Sequence, residues 1–200
     1  RTINEMVGRV DRVEARQAID HWKANGLDFT ALLYRPDVPD SVGTYHSIDQ
    51  DHGLENALDH KLIEMTQGAV DGTGSVKIEL PIANSNRTVG AMLSGRIAKR
   101  YGEDGLPDGA IEIAFRGSAG QSFGAFLVSG ITFRVEGDTN DYLAKGLSGG
   151  RVVIVPDRDA TFVPEENIIV GNTVLYGATR GQAFIKGIAG ERFAVRNSGA

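Results

Sequence analysis

Three histidines stand close together in an acidic stretch. His46, His52 and His60 are interleaved with Asp49, Asp51, Glu55 and Asp59. Imidazole and carboxylate are suitable ligands for zinc and related divalent metals. His52 and Asp59 share a face if the stretch is helical. The spacing matches no ligand motif, so the cluster reads as a solvated acidic helix with histidines in its lead-in loop. Two Asp-x-Asp pairs, Asp49/Asp51 and Asp157/Asp159, begin like calcium loops, but their twelfth positions hold His60 and Ile168 where a glutamate is required. Gly72 and Gly74 open like a dinucleotide loop. Lys77 takes the place of the third glycine, and a strand follows where a helix is needed.

Other chemistry is excluded by composition. The 200 residues contain no cysteine. That removes disulfides, thiol nucleophiles and cysteine-ligated iron–sulfur clusters from this chain. Neither a G-x-S-x-G elbow nor a phosphate loop occurs. The net charge of −5 gives no electrostatic support for general nucleic-acid binding. No apolar run approaches membrane-spanning length. Asn86-Arg-Thr88 fits a glycosylation sequon but reads as a helix start. Arg96, Lys99 and Arg100 suit a helix C-terminus, and Arg116, Arg134 and Arg151 form a candidate outward row for an acidic partner. The residues thus predict no catalytic, cofactor-binding or metal site in the chain.

The elements that would position these residues fall into two parts. Residues 1–71 hold 5 of the 26 glycines, with 7 Lys+Arg against 13 Asp+Glu; residues 72–200 hold 21, with 14 against 13. The boundary lies at the turn signal Asp71-Gly72-Thr73-Gly74. The first part reads as an acidic, partly helical lead-in. Val13, Ala18, Ile19 and Trp22 predict a helix over 11–25, capped by Gly26, and 27–34 a short turn or helix. Leu54, Leu58, Leu62 and Met65 predict a second helix over 54–66, closed by Gly68.

The second part repeats. β-rich runs occur at Val76–Leu80, Ile111–Phe115, Ile131–Val135, Arg151–Val155, Thr173–Tyr176 and Glu191–Val195. Their starts step by 35, 20, 20, 22 and 18 residues. Short patches ending in small residues separate them, at 90–95, 124–130, 144–150, 168–172 and 184–190. The long first step contains a predicted helix, capped by Ser85 or Asn86 and ended by Gly102. One 20-residue unit cannot bury its own apolar face, so stacked units with parallel strands are expected. Ile111, Ile113 and Phe115 should point inward and Glu112 outward; Phe133 and Val135 inward and Arg134 outward. A solenoid of parallel strands accounts for the period, the alternation and the glycines together. The alternative is an antiparallel sandwich with glycine-rich turns. The array ends without a visible polar cap, which predicts that it continues and that an open strand edge favours self-association.

The stretch SNRTVGAMLSGRIAKRYG (85–102) and the run from Gly117 to Gly150 resemble the glycine-repeat (GXGXG) domain at the C-terminal end of the glutamate synthase large subunit. Gly117, Gly120 and Gly124 realise the glycine motif, and QDHGLENALDHKLI (50–63) resembles the connection into that domain. The resemblance implies a mainly β fold, a right-handed parallel β-helix over 72–200. It implies a cytoplasmic parent enzyme that makes glutamate from glutamine and 2-oxoglutarate with FMN and an iron–sulfur cluster, both held outside this chain. It implies a non-catalytic structural role here, with the amidotransferase and FMN domains of the same subunit as partners. The same repeat occurs in a formylmethanofuran dehydrogenase subunit, a second reading. A stand-alone metal enzyme using His46, His52 and His60 is a third.

Overall fold

A computed structural model describes residues 2–14, 21–24 and 26–200. It divides into two compact units, Arg1–His52 and Gly53–Ala200. Of the helix predicted over 11–25, residues 15–20 and 25 lie outside the described residues; the others form no α-helix, with 11–12 in a 3-10 turn and 22–24 in a turn. What is described of the first unit is a 3-10 turn at Val10–Arg12 and one helical turn at Thr30–Leu33.

The second unit begins with a 3-10 turn at Leu54–Asn56, then α1 (Leu58–Met65) and the short α2 (Gln67–Val70). The predicted helix is therefore real but shorter, and Gly68 lies inside the turn that follows it. Seven strands come next: β1 (Val76–Ile82), β2 (Ile111–Ala119), β3 (Ile131–Thr139), β4 (Ser148–Val155), β5 (Ile168–Val170), β6 (Arg180–Ile185) and β7 (Ile188–Ala189). Helix α3 (Ala91–Tyr101) occupies the long excursion between β1 and β2.

All strand pairs are parallel, in the order β1-β2-β3-β4-β6, with β5 joining β3 to β7. Apolar residues line up in register across the strands. One column runs Ile78, Ile113, Phe133, Val152, Ala183; the next runs Leu80, Phe115, Val135, Ile154, Ile185. The first four members of each are buried, while Glu112 is half-buried and Arg134 exposed. The period-2 expectation holds at these positions, because successive Cβ atoms leave opposite faces of a strand. Phe115 meets Phe123 and Phe133 edge-on, each with ring centroids 5.2 Å apart.

The expected right-handed parallel β-helix is not what forms. The structure has one open seven-stranded parallel sheet with helices, an α/β-like arrangement that does not close. The physical reason lies in the segments between strands, which a closed coil would need as further β walls. Residues 121–126, 141–146 and 174–177 are turns. Ser122, Phe126, Tyr142, Ala144, Thr173 and Leu175 adopt left-handed φ values between 53° and 62°. A chain in that conformation cannot present a β ladder. The turns instead stack on one another: Ser122 N–H donates to Asp141 O, Tyr142 to Asn172 and Thr173 to Glu191.

Two of the predicted strands fail for the same reason. Thr173–Tyr176 and Glu191–Val195 fall on stacked turns, and the strands lie instead at β5, β6 and β7. Register advances from Glu112 to Thr132 and on to Arg151, but the next partner is Gln182. An excursion through Pro156–Asn167 lengthens that step, so counting in twenties loses its phase.

Glycine is required where the strands pass closest. Gly117 and Gly137 are register partners with φ of +123° and +146°. A Cβ on Gly137 would lie 2.0 Å from Gly117 O, and one on Gly117 would lie 2.2 Å from Ile82 O. No side chain fits there, and the backbone conformation disfavours one.

Candidate functional site

The residues that could do chemistry are not brought together. His46 and His52 are exposed. His60 lies exposed on α1, its Nε2 3.0 Å from Leu54 O. Among the described residues, no three His, Asp or Glu side chains gather in a way that could hold a metal ion. Asp157 accepts from Asp159 N–H at 2.9 Å, an Asx-type turn closing on itself. Residues 72–75 form the turn and lead-in before β1.

The basic candidates are paired or scattered. Arg100 bonds to Asp71, and Gln67 with Arg100 holds that carboxyl below its ordinary range. Tyr101 Oη donates to Val70 O at 2.6 Å, a second tie between α3 and the α1–α2 segment. The arginine row does not form. Arg116 sits opposite Glu136, Arg134 opposite Ala114, and Arg151 opposite Thr132, so the three occupy different rungs. Glu136 is gripped from the excursion by Arg158, whose Nε and Nη2 lie 2.5 and 2.9 Å from its two oxygens. This side-chain pairing holds the Glu136 carboxyl down at about 2. Arg151 Nε donates to Gln182 at 2.8 Å, and its guanidinium lies 3.6 Å from Asp108 in a polar groove at the strand ends.

One buried acid stands out, and the sequence reading had placed it in a solvated cluster. Asp59 is 3% exposed. Its Oδ2 accepts from Gly90 N–H at 2.8 Å; its Oδ1 accepts from Met92 and Leu93 N–H at 2.9 and 3.1 Å. These are the orphan donors at the start of α3. The expected cap by Ser85 or Asn86 is absent: the N-cap residue is Gly90, at φ 96°. Asn86 Oδ1 instead accepts from Ala83 N–H at 3.0 Å. Burial pushes the Asp59 carboxyl up, and the three backbone donors pull against that shift. Its role is to tie α1 to α3. The signal for it was present in 59–62: Asp59 is one turn from Leu62, which is fully buried, so both share the inner face.

Of the two cofactors implied by the resemblance, the iron–sulfur cluster finds no thiolate ligand in this chain. A flavin phosphate would suit a helix N-terminus, but that of α3, the longest helix among the described residues, is already filled by the Asp59 carboxylate.

The geometry defines a packed, glycine-dependent parallel-sheet module. Residues 59–200 match the family model described as GXGXG motif. The chain belongs to that family. Its relatives are glutamate synthases. Over its whole length it is 53% identical to glutamate synthase [NADH] of Schizosaccharomyces pombe and 45% identical to the glutamate synthase [NADPH] large chain of Bacillus subtilis. Over 99% of its length it is 41% identical to ferredoxin-dependent glutamate synthase 2 of Synechocystis. It spans 10% of the first of these proteins and 13% of the other two.

Proposed function

We propose that the chain is a non-catalytic structural module of a glutamate synthase large subunit. It fixes the relative placement of the domains that release ammonia from glutamine and add it to 2-oxoglutarate. The observation that carries this reading is the register-locked sheet, whose strands meet at Gly117 and Gly137 without room for a side chain. Such a stack holds two bodies at a set separation, and positioning reacting groups is itself a large part of catalysis. FMN and the iron–sulfur cluster belong, on this reading, to other domains of the same subunit.

The test is coupling in the full-length large subunit. Gly137→Val should disorder the sheet and raise the glutamine hydrolysed per 2-oxoglutarate consumed, while flavin and iron content stay at wild-type level. Unchanged coupling with the sheet demonstrably disrupted would refute the structural role. The 200-residue chain alone should contain no stoichiometric metal or flavin and turn over neither substrate. Self-association is part of the same reading: among the described residues β6 pairs only with β4 and leaves its other edge open, with Phe184 exposed. Sedimentation of the 200-residue chain should show dimers at high concentration; a strictly monomeric profile would count against this.

A further inference from the structure

The excursion after β4 runs into a patch of exposed apolar side chains. Phe162 is 43% exposed, Val163 51%, Ile168 67% and Ile188 41%. Asn167 joins them into one surface: its Nδ2 donates to Val163 O, and its carbonyl accepts from Ile188 N–H, both at 2.9 Å. Ile168 and Ile188 are also register partners on β5 and β7. Exposed apolar side chains that adjoin one another inside a polar rim mark interaction sites, whereas single ones do not.

Ile168 also forms part of a groove of about 300 Å³ with Asn84, Ser118, Asp138 and Thr139. The groove exists because β4 pairs with β3 only as far as Glu136 and β5 rejoins it at Thr139. Gly137 and Asp138 have no register partner on that side. Thr139 is 6% exposed, and its hydroxyl has no partner among the described residues. A buried hydroxyl is ordinarily hydrogen-bonded, so an unpaired one at a groove calls for a ligand group. Asp138 Oδ1 accepts from Ser118 Oγ; Oδ2 has no partner among the described residues. The surroundings are negative. Asp157, Asp159, Glu165 and Glu166 are exposed along the excursion. Its one basic residue, Arg158, is bound to Glu136, and Arg116 also acts on that carboxyl. Lys186, the one basic residue of 181–191, is matched there by Glu191.

We infer that the groove and the patch form a docking site for a polypeptide segment in which an arginine stands beside bulky apolar residues. The guanidinium enters the groove and donates to Asp138 Oδ2 and to the Thr139 hydroxyl, with its methylene stem along Ile168. The neighbouring apolar side chains cover Val163 and Ile188. Arginine suits the groove better than lysine, because its flat fork carries five donors and is weakly hydrated. The inference does not rest on the structural role proposed above.

Nitrogen-15 NMR titration of the 200-residue chain with a blocked peptide, arginine followed by isoleucine and leucine, tests this. The amides of Asp138, Thr139, Val163, Ile168 and Ile188 should shift together, with a Kd of about 1 mM or tighter. The same peptide with citrulline for arginine should bind about tenfold more weakly, as should methylguanidinium alone. No shift of these amides at about 10 mM peptide would overturn the site. Equal binding by the citrulline peptide would overturn the guanidinium, and equal binding by methylguanidinium would overturn the polypeptide segment. Asp138→Asn and Ile168→Ser change exposed positions and should each weaken binding about fivefold. Thr139→Val removes a hydroxyl with no partner among the described residues, so its urea midpoint should not fall while its binding weakens. Unchanged binding in all three variants would overturn the site. No readout here depends on coupling or turnover, so the docking site can fail while the structural role stands, and the reverse.

Discussion

Removing the Asp59 carboxylate should loosen α3 from α1 and weaken the whole second unit. In Asp59→Ala three N–H groups lose their acceptor: those of Gly90, Met92 and Leu93. Gly90 and Leu93 are buried, so water cannot replace the lost acceptor there; Met92 is half-buried and rehydrates more readily. An unsatisfied buried donor costs about 1–3 kcal/mol, which puts the alanine variant at about 4 kcal/mol of destabilisation. Asp59→Asn is milder. Its amide oxygen can keep the Met92 and Leu93 bonds, but its NH2 then faces the Gly90 donor, at a cost of about 2 kcal/mol. The neutral amide also relieves the burial penalty that raises the Asp59 pKa. The assay is urea unfolding followed by far-UV circular dichroism. With a slope of about 2 kcal/mol per molar urea, midpoints should fall by about 2 M for alanine and about 1 M for asparagine. An alanine midpoint within about 0.5 M of wild type would refute the reasoning. It would mean that the α3 N-terminus is held by something other than this carboxylate.

The glycine contacts separate two kinds of glycine. Gly137→Ala places a Cβ 2.0 Å from Gly117 O and should abolish cooperative unfolding; Gly95→Ala, exposed inside α3 with nothing within 4 Å of the new Cβ, should stabilise by about 1 kcal/mol. Equal effects of the two in a thermal melt would remove the close-approach argument. Glu136, held at about 2 by Arg158, should titrate there by carbon-detected NMR and return toward its ordinary range in Arg158→Ala. Its folded pKa lies below the unfolded one, so its contribution is present above about 4.5 and is lost as the pH falls toward 2. A midpoint that does not move in Arg158→Ala would show that the pair is not the cause.

What the sequence revealed tracks what side-chain pattern can report. Ile111-x-Ile113-x-Phe115 and Phe133-x-Val135 announce their inward face, because alternation follows directly from the pleat. Thr173–Tyr176 has the same β-branched and bulky composition but sits in a stacked turn, with Thr173 and Leu175 at φ 60° and 57°. Propensity places such residues in strands, and only neighbouring turns, donating and accepting along the stack, override it. Closure of the sheet was unreadable for the same reason, since it depends on whether the intervening patches are strands or left-handed turns. Asp59 was misplaced because its partners lie some thirty residues away at the start of α3. The scatter of Arg116, Arg134 and Arg151 needed the register: both steps between them are shorter than the advance from strand to strand, which shifts all three off a common rung. The compositional break near Gly72 and the contact division at Gly53 measure different things, glycine demand in the one case and packing in the other.

The register also says where such a module can change without losing its shape. Slipping one strand by one residue would turn Arg134 inward and Phe133 outward, and every paired column would be broken at that layer. Insertions are therefore confined to places where the chain leaves the stack and returns in step. Both long excursions do this. The chain leaves after β1, forms α3, and resumes with Lys77 opposite Glu112, held there by an ion pair at 2.9 Å. It leaves again after β4, passes Pro156–Asn167, and resumes with Arg151 opposite Gln182. Each excursion then docks back onto the stack through a polar contact, Arg158 on Glu136 in the second and Arg87 on Gln121 in the first. The stack fixes distance and orientation; Val89, Leu93, Ile97 and Leu106 of the first excursion are part of its core, while the exposed positions of both excursions can vary at little cost to it. The role proposed above, holding other domains in place, would need that division between a spacing that cannot drift and loops that can be fitted to their neighbours.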